Sequence, residues 1–181
     1  MSEGKSIIRE YVEAIVVAVL LAGFIIVFVA QSFLVQGGSM EPSLHHGDRL
    51  LVDKLTYRFR DPQRGEIIVF QYPADPSRKF IKRVIGLPGD IVHIRGGLVF
   101  VNGRPLREDY ILGPTYGDFP PVRIPEGHYF VLGDNRNNSD DSRFADVGPV
   151  PRRLVVGRAV FAYWPLSRAG RIERPAIFRE L

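Results

Sequence analysis

Two side chains far apart in the chain, a serine and a lysine, have surroundings suited to acid–base chemistry. Ser39 follows two glycines and precedes the segment Met40-Glu41-Pro42. Glycines allow a backbone N–H to approach a substrate carbonyl closely, and a hydroxyl that follows them is a candidate nucleophile. The alternative is that this segment is a flexible connection after a helix.

Lys82 stands beside Arg83 in the segment 80–86, which has the composition of a strand. Because side chains alternate along a strand, Lys82 shares a face with Phe80 and Val84, whereas Arg83 points to the other face. Burial of the Lys82 face would lower the pKa of the amine, and a neutral amine accepts a proton from a serine hydroxyl. Arginine stays protonated and cannot do so. The pattern leaves open which face is buried, and a lysine that reaches solvent from a strand edge is the alternative.

The segment Gly133–Arg143 is dense in turn-forming residues and in charges of both signs. It forms either a solvated loop or a network of Asp and Arg side chains that positions a catalytic strand. The chain has no cysteine, which excludes disulfides, thiolate metal sites and a cysteine nucleophile. The four histidines lack a metal-binding spacing, and no G-x-S-x-G sequence is present. Neither a metal nor another cofactor is expected.

An apolar segment near the N-terminus predicts a membrane anchor. Residues 14–35 are apolar except for Gln31 and Ser32. As a helix they would extend about 33 Å, which matches a hydrocarbon core of about 30 Å. The unbroken run 14–30 is longer than the apolar region of a signal peptide, about 7–15 residues, so an uncleaved anchor is favoured over a cleaved signal peptide. Residues 1–13 are the expected cytoplasmic tail.

The charged residues do not decide the orientation of the anchor, and they do not indicate a nucleic-acid partner. Lys5 and Arg9 favour an N-terminus inside the cell, but Arg49 and Lys54 lie as close to the other end of the apolar segment. The net charge of +4 is spread along the chain without a basic tail. This indicates an ordinary solvated surface rather than one that binds nucleic acid.

Residues 36–181 are long enough for one domain and show no long helical periodicity. Stretches rich in β-branched and aromatic residues predict a mostly β domain, with strands at Glu66–Tyr72, Lys79–Leu87 and Val155–Trp164. Two apolar stretches around Gly96-Gly97 predict a hairpin near residues 91–102. The Pro- and Gly-rich segment 113–125 predicts an exposed loop.

Four segments, in this order behind an apolar N-terminal segment, closely resemble the type I signal peptidases, Ser–Lys proteases that remove signal peptides from exported proteins. The resemblance runs from the anchor to about Leu166 and rests on Gly38–Pro42, Gly47-Asp48, Lys82–Asp90 and Gly133–Arg143. It implies a single transmembrane helix followed by a signal-peptidase-like antiparallel β catalytic domain. The segment after the lysine is short, so an accessory β-domain is expected to be reduced to the hairpin.

The resemblance also implies a role for each matched residue. Ser39 would be the nucleophile, with its main-chain N–H in the oxyanion site, Lys82 would be the general base, and Ser139 would orient the lysine amine. Structural support would come from Asp134, Asn135, Arg136, Asp141 and Arg143. The substrate cleft would be lined by Val35, Met40, Leu44, Phe80 and Ile81. Many members have serine where this chain has Gly37, so a second oxyanion donor is unassigned, and Gly37→Ser is expected to be tolerated.

These roles imply a membrane-bound serine endopeptidase that removes N-terminal signal peptides from exported preproteins through an acyl-enzyme. Its expected place is the cytoplasmic membrane, with the N-terminus inside and the catalytic domain outside. The expected partners are preproteins and membrane lipid, with no nucleic acid and no metal. One alternative is a self-cleaving protease of the SOS-repressor type, which should carry a helix-turn-helix domain in place of the apolar segment. The other is a membrane-anchored basic β-domain that binds lipid or nucleic acid.

Overall fold

The computed structural model describes residues 3–24 and 29–179. One α-helix, α1 (Glu3–Phe24), precedes a region built of strands. In chain order the strands are β1 (Ala30–Leu34), β2 (Arg49–Asp53), β3 (Ile67–Tyr72), β4 (Asp75–Gly86), β5 (Ile91–Arg95), β6 (Leu98–Val101), β7 (Arg104–Pro105), β8 (Phe119–Arg123), β9 (His128–Leu132), β10 (Val150–Pro151), β11 (Val155–Trp164) and β12 (Gly170–Arg171). Short 3₁₀ turns lie at Thr56–Arg58, Arg152–Leu154, Leu166–Arg168 and Ala176–Arg179.

The predicted anchor, residues 14–35, is not one continuous helix. Ala30–Leu34 form β1, which pairs antiparallel with β2 in a register that places Leu34 opposite Arg49. The helix prediction is wrong for these residues because pairing with β2 satisfies their backbone groups, while Val35 directly after the strand is buried in the domain core. Residues 25–28 of the predicted anchor lie outside the described residues. Within the part of the chain that the structure describes, no helix is both long and apolar enough to cross a membrane.

The strands form two sheets in which all neighbours pair antiparallel, so the prediction of a mostly antiparallel β domain is confirmed. The large sheet has the order β1-β2-β11-β3-β4-β9-β10, with β12 paired to β11. The small sheet has the order β7-β6-β5-β8. Lys82 lies on β4 of the large sheet, and Ser39 lies in the connection between its strands β1 and β2.

The predicted hairpin lies at β5 and β6, with Gly96 and Gly97 in its turn at φ angles of 57° and 83°. It is part of a larger unit than predicted, because β7 and β8 pair with its two sides and complete a four-stranded sheet. β8 falls within the segment 113–125, so the prediction of a loop throughout that segment is wrong. Pro120-Pro121 fits this position because β8 is an edge strand, where a missing N–H need not interrupt the hydrogen-bond ladder.

Apolar clusters fix the site from two directions. One cluster lies between the two sheets and includes Ile85 of β4 and Phe130 of β9. Another contains Met40 and Leu44, which pack the segment after β1 against Leu50 and other residues of the large sheet. Full burial of one such side chain contributes about 1.5–3 kcal/mol. The residues that follow Ser39 are therefore held firmly against the sheet that carries Lys82.

Candidate active site

Ser39 lies in a connection between β1 and β2 that backbone hydrogen bonds hold closed. The N–H of Val35 donates to the carbonyl of Asp48 over 2.8 Å, which joins the two ends of the connection. Met40, next to Ser39, is fully buried, and its carbonyl accepts the N–H of Leu44 at 2.9 Å. Because the nearby side chains of Met40 and Leu44 are buried in the core, Ser39 is held in place. Its hydroxyl lies within hydrogen-bond distance of Lys82 on β4.

The side chain of Lys82 extends from β4 to Ser39. Its Nζ lies 2.9 Å from Ser39 Oγ and 3.0 Å from the carbonyl oxygen of Ile81. The Phe80 ring lies beside the amine, with its centroid 5.3 Å from Nζ. Lys82 is 4% exposed, so its alternative placement, a charge reaching solvent from a strand edge, is wrong.

Burial lowers the pKa of the Lys82 amine from its ordinary value of 10.5 to about 8. The charges of Asp141, Asp140 and Asp134 act in the opposite direction. Within the described residues none of these carboxylates bonds to Nζ, whose partners are the serine hydroxyl and a carbonyl. A neutral amine is therefore accessible near pH 8, at a distance from Ser39 Oγ that permits direct proton transfer.

Arg83 lies on the opposite face of β4 and is buried as well. Its guanidinium donates to both carboxylate oxygens of Asp134, at 2.6 and 2.8 Å, and to the carbonyl of Gly65 at 2.8 Å. The strand pattern left open which face of β4 is buried, and in the structure both faces are. One carries a lysine that meets a hydroxyl, and the other carries an arginine that meets a carboxylate.

Ser139 lines the same cavity as Ser39 and Lys82. A Cβ added to Gly133 would lie 2.3 Å from Ser139 Oγ and 2.5 Å from the Ser39 carbonyl oxygen, so glycine at position 133 permits this close approach. The Ser139 hydroxyl oxygen is buried and has no hydrogen-bond partner among the described residues. Ser139 is thus placed beside the pair without the bond to Lys82 that its predicted role requires, and that role stays a prediction.

Most of the loop 133–143 is a buried network, whereas Asn137, Asn138 and Asp140 are exposed. Asn135 donates its backbone N–H to the carbonyl of Ser39 and its side-chain amide to the carbonyl of Gly38, both at 3.1 Å. Asp141 pairs with Arg143 at 2.7 Å, and Asp134 and Asp141 are each 0% exposed. The solvated-loop alternative is therefore wrong. All five predicted support residues lie in this network: Asp134, Asn135, Arg136, Asp141 and Arg143.

A cleft of about 480 Å³ opens beside Ser39 and Lys82. One wall is the segment 33–39 and the other is the segment 78–82. Three of the predicted cleft residues line it: Val35, Phe80 and Ile81. The prediction is wrong for Met40 and Leu44, which are not among the residues that line the cleft and which pack in the core beneath the connection.

Glu108 and Tyr110 are among the residues that touch this network and were not predicted from the sequence. Glu108 accepts two hydrogen bonds from the guanidinium of Arg136, and the ring of Tyr110 packs against the guanidinium of Arg83 with 4.5 Å between Cζ and the ring centroid. Arg136 is 28 positions away from Glu108 in the chain. No local sequence signal distinguishes such an acidic residue from an ordinary solvated one.

The sequence is similar to proteins of one family. The family model for signal peptidase, peptidase S26, matches residues 8–164. A probable signal peptidase I-2 of Synechocystis sp. is 47% identical over 167 residues, which cover 89% of this chain and 75% of that protein. Signal peptidase I of Leptolyngbya laminosa is 44% identical over 181 residues, which cover 96% of this chain and 88% of that protein. A crystal structure of a signal peptidase I from Enterococcus faecalis V583 matches at 38% identity and a TM-score of 0.49, over 55% of this chain and 97% of that chain. The chain is a serine peptidase and belongs to the signal peptidase family, peptidase S26.

Proposed function

We propose that this chain is a membrane-bound signal peptidase I that cleaves exported preproteins with Ser39 as nucleophile and Lys82 as general base. The observation that carries the proposal is the 2.9 Å contact between Lys82 Nζ and Ser39 Oγ at the edge of an open cleft. The lysine has a lowered pKa and no bonded carboxylate among the described residues, so its neutral form is available to remove the hydroxyl proton.

The proposed reaction passes through an acyl-enzyme. Lys82 takes the proton of Ser39 as Oγ attacks the scissile carbonyl, and the main-chain N–H of Ser39 donates to the oxygen on which negative charge develops. The lysine ammonium gives that proton to the leaving amine as the C–N bond breaks. Water then attacks the ester while Lys82 accepts its proton, and transfer of that proton back to Oγ releases the signal peptide and restores the enzyme.

The proposed substrate is an extended peptide with small side chains at the first and third positions before the scissile bond. In an extended peptide these two side chains point to the same side, whereas the side chain between them points away. Val35, Ile81, Leu50 and Val69 line the cleft, and side chains of this size make its subsites shallow and apolar. A methyl group fits such a subsite, whereas a bulky side chain displaces the scissile carbonyl from Ser39, and a misplacement of about 1 Å can cost about 10²-fold in rate.

We further propose that the apolar segment that begins at Ala14, in the second half of α1, anchors the chain in the cytoplasmic membrane, with residues 1–13 inside and the catalytic domain outside. Six apolar side chains of α1 are 50–68% exposed: Ile15, Val16, Val17, Val19, Leu20 and Leu21. The exposed Ala14, Ala18 and Ala22 occupy the remaining side of the helix. The catalytic domain leaves them uncovered, and a helix that is apolar all round is suited to lipid. Such a tether would hold the enzyme in the same thin layer as a membrane-held preprotein.

Cleavage of a preprotein by the detergent-solubilised full chain tests this function. The wild type should release the signal peptide, Ser39→Ala should not, and Ser167→Ala, an exposed serine outside the cleft, should match the wild type. Replacing the residue before the scissile bond by Phe should stop cleavage that Ala permits, as mapped by mass spectrometry. Cleavage by folded Ser39→Ala would reject the nucleophile, and equal cleavage after Phe and Ala would reject the signal-peptidase specificity.

A further inference from the structure

The segment between β7 and β8 makes a buried ion pair with the loop 133–143. We call residues 108–116 the brace segment. Its first residue, Glu108, receives a forked ion pair from Arg136, in which Nη1 and Nη2 each lie 2.6 Å from a carboxylate oxygen. The side chains of Glu108 and Arg136 are 4% and 0% exposed. Loss of the carboxylate would leave a buried arginine uncompensated, which is strongly unfavourable.

Further contacts along the brace segment hold the same short stretch of the loop. The N–H of Leu112 donates to the carbonyl of Asp134 over 3.2 Å. The side chain of Asn137 donates to the carbonyl of Pro114 and accepts the N–H of Tyr116, both at 2.9 Å. The brace segment thus makes a row of contacts with residues 134–137. Glu108 lies at one end of this row and is the residue of the segment that contributes a charge to it.

The stretch 134–137 is in turn bonded to the neighbours of both proposed catalytic residues. Asn135 holds the Ser39 carbonyl through its N–H at 3.1 Å. Asp134 holds both nitrogens of the Arg83 fork, and Arg83 directly follows Lys82 on β4. The stretch 134–137 therefore contacts both the brace segment and the segment that carries Ser39.

We infer that Glu108 is a positioning residue for the proposed Ser39–Lys82 reaction, acting through Arg136 and the stretch 134–137. This inference rests on the proposed function. Without Glu108, Arg136 would turn to Asp134, the other carboxylate whose charge acts on it, and would compete with Arg83 for that side chain. The stretch that holds the Ser39 carbonyl would then move. Small displacements of a nucleophile reduce its rate of attack much more than they reduce substrate binding.

The test compares Glu108→Gln with Glu66→Gln in the full-length enzyme. Glu66 is the control, since its side chain is also 4% exposed. Glu108 accepts hydrogen bonds from Arg136 and Tyr110, and Glu66 accepts them from Arg60, Arg158 and Tyr57. Both variants should lose stability. Only Glu108→Gln should lower kcat, by about 10- to 100-fold with KM within about threefold, and only Glu108→Gln should speed hydrogen exchange at the N–H of Asn135.

Glu108→Asp keeps the charge and provides a variant that folds if Glu108→Gln does not. Its carboxylate is one methylene further from Arg136, so kcat should fall less than in Glu108→Gln while Asn135 exchange still rises. Wild-type kcat and exchange in both Glu108 variants would overturn the inference, as would an equal loss of kcat in Glu66→Gln. Exchange at Asn135 decides the positioning effect even if the wild type cleaves no preprotein, a result that would reject the proposed function by itself.

Discussion

Lys82 and Arg83 are adjacent on β4 and nearly equally buried, at 4% and 2% exposure, yet their environments differ completely. The lysine amine meets the Ser39 hydroxyl and a backbone carbonyl. The arginine guanidinium meets both oxygens of Asp134 and a second carbonyl. Among the described residues, the lysine face of the strand therefore carries a cation with no bonded carboxylate, whereas the arginine face carries a cation paired with one.

This difference shows that the partner, rather than burial itself, decides the chemistry of a buried cation. Loss of hydration disfavours the ammonium, so the pKa of Lys82 falls to about 8, with only partial opposition from the charges of Asp141 and its neighbours. Arginine cannot release its proton, so its burial requires a carboxylate partner. Lys82 is accordingly suited to proton transfer, and Arg83 is suited to holding the loop 133–143 in place.

The largest expected effect comes from replacing the lysine by a permanent cation. Lys82→Arg should lower kcat by up to about 10⁴-fold, because a guanidinium cannot accept the Ser39 proton. Preprotein cleavage measures the loss, circular dichroism checks the fold, and Lys54→Arg, directly after β2, is the control for the substitution itself. Substantial turnover by a folded Lys82→Arg enzyme would reject Lys82 as the base.

Removing the carboxylate partner of Arg83 should mainly lower the stability of the fold. Asp134→Asn leaves Arg83 buried without its carboxylate, and the free energy of unfolding should fall by about 3–5 kcal/mol in urea titration. The exposed pair of Arg152 and Asp61 supplies the contrast, because Asp61→Asn should cost less than about 1 kcal/mol. Similar losses in the two variants would contradict the distinction between buried and exposed pairing.

Removing the Lys82 cation should instead raise the free energy of unfolding. Lowering the Lys82 pKa from 10.5 to about 8 corresponds to about 3 kcal/mol of destabilisation wherever the folded protein must carry the ammonium. This cost is complete below pH 8 and disappears as pH rises toward 10.5, because the folded state loses its proton first. Lys82→Met should therefore be more stable than the wild type by up to about 3 kcal/mol at pH 7, with the gap closing above pH 8 in urea titrations. A gap that stays constant with pH would contradict the lowered pKa.

The same pKa predicts an acidic limb in the activity. Below about pH 8, kcat/KM should fall tenfold per pH unit, to about 1% of its plateau at pH 6, because only neutral Lys82 accepts the proton. Asp140→Asn should move this limb to lower pH, since the charge of Asp140 favours the ammonium. A limb that is absent, or one that Asp140→Asn moves upward, would contradict the assignment to Lys82.

The smallest effect concerns the backbone before the nucleophile. Gly37 has a φ of 83°, which a side chain disfavours, so Gly37→Ser, which the sequence predicts to be tolerated, should carry a conformational cost. The added Cβ meets no atom within 4 Å, and the cost should be the conformational one alone, about 1 kcal/mol in thermal unfolding. Gly113→Ser, with similar space and no positive φ, should be neutral. Equal stability of the two variants would show that the φ of Gly37 has no energetic consequence.

The sequence alone supported the choice of Ser39, Lys82 and the loop 133–143 as one site, because the order of short motifs is a property of the chain. It also predicted the β character of the domain and the hairpin turn at Gly96-Gly97, since strand composition and positive φ angles are local preferences. The family resemblance stated from those motifs is confirmed.

Tertiary structure decided everything that depends on contacts between distant residues. Strand alternation placed Lys82 and Arg83 on opposite faces, but only packing showed that both faces are buried and that Asp134 belongs to the arginine. Met40 lies in the core instead of the predicted cleft, and Glu108 pairs with Arg136, which is 28 positions away in the chain. The physical reason is that desolvation and ion pairing are sums over neighbours in space, and a lysine acquires a pKa of about 8 only when the surrounding fold removes its water without supplying a bonded carboxylate.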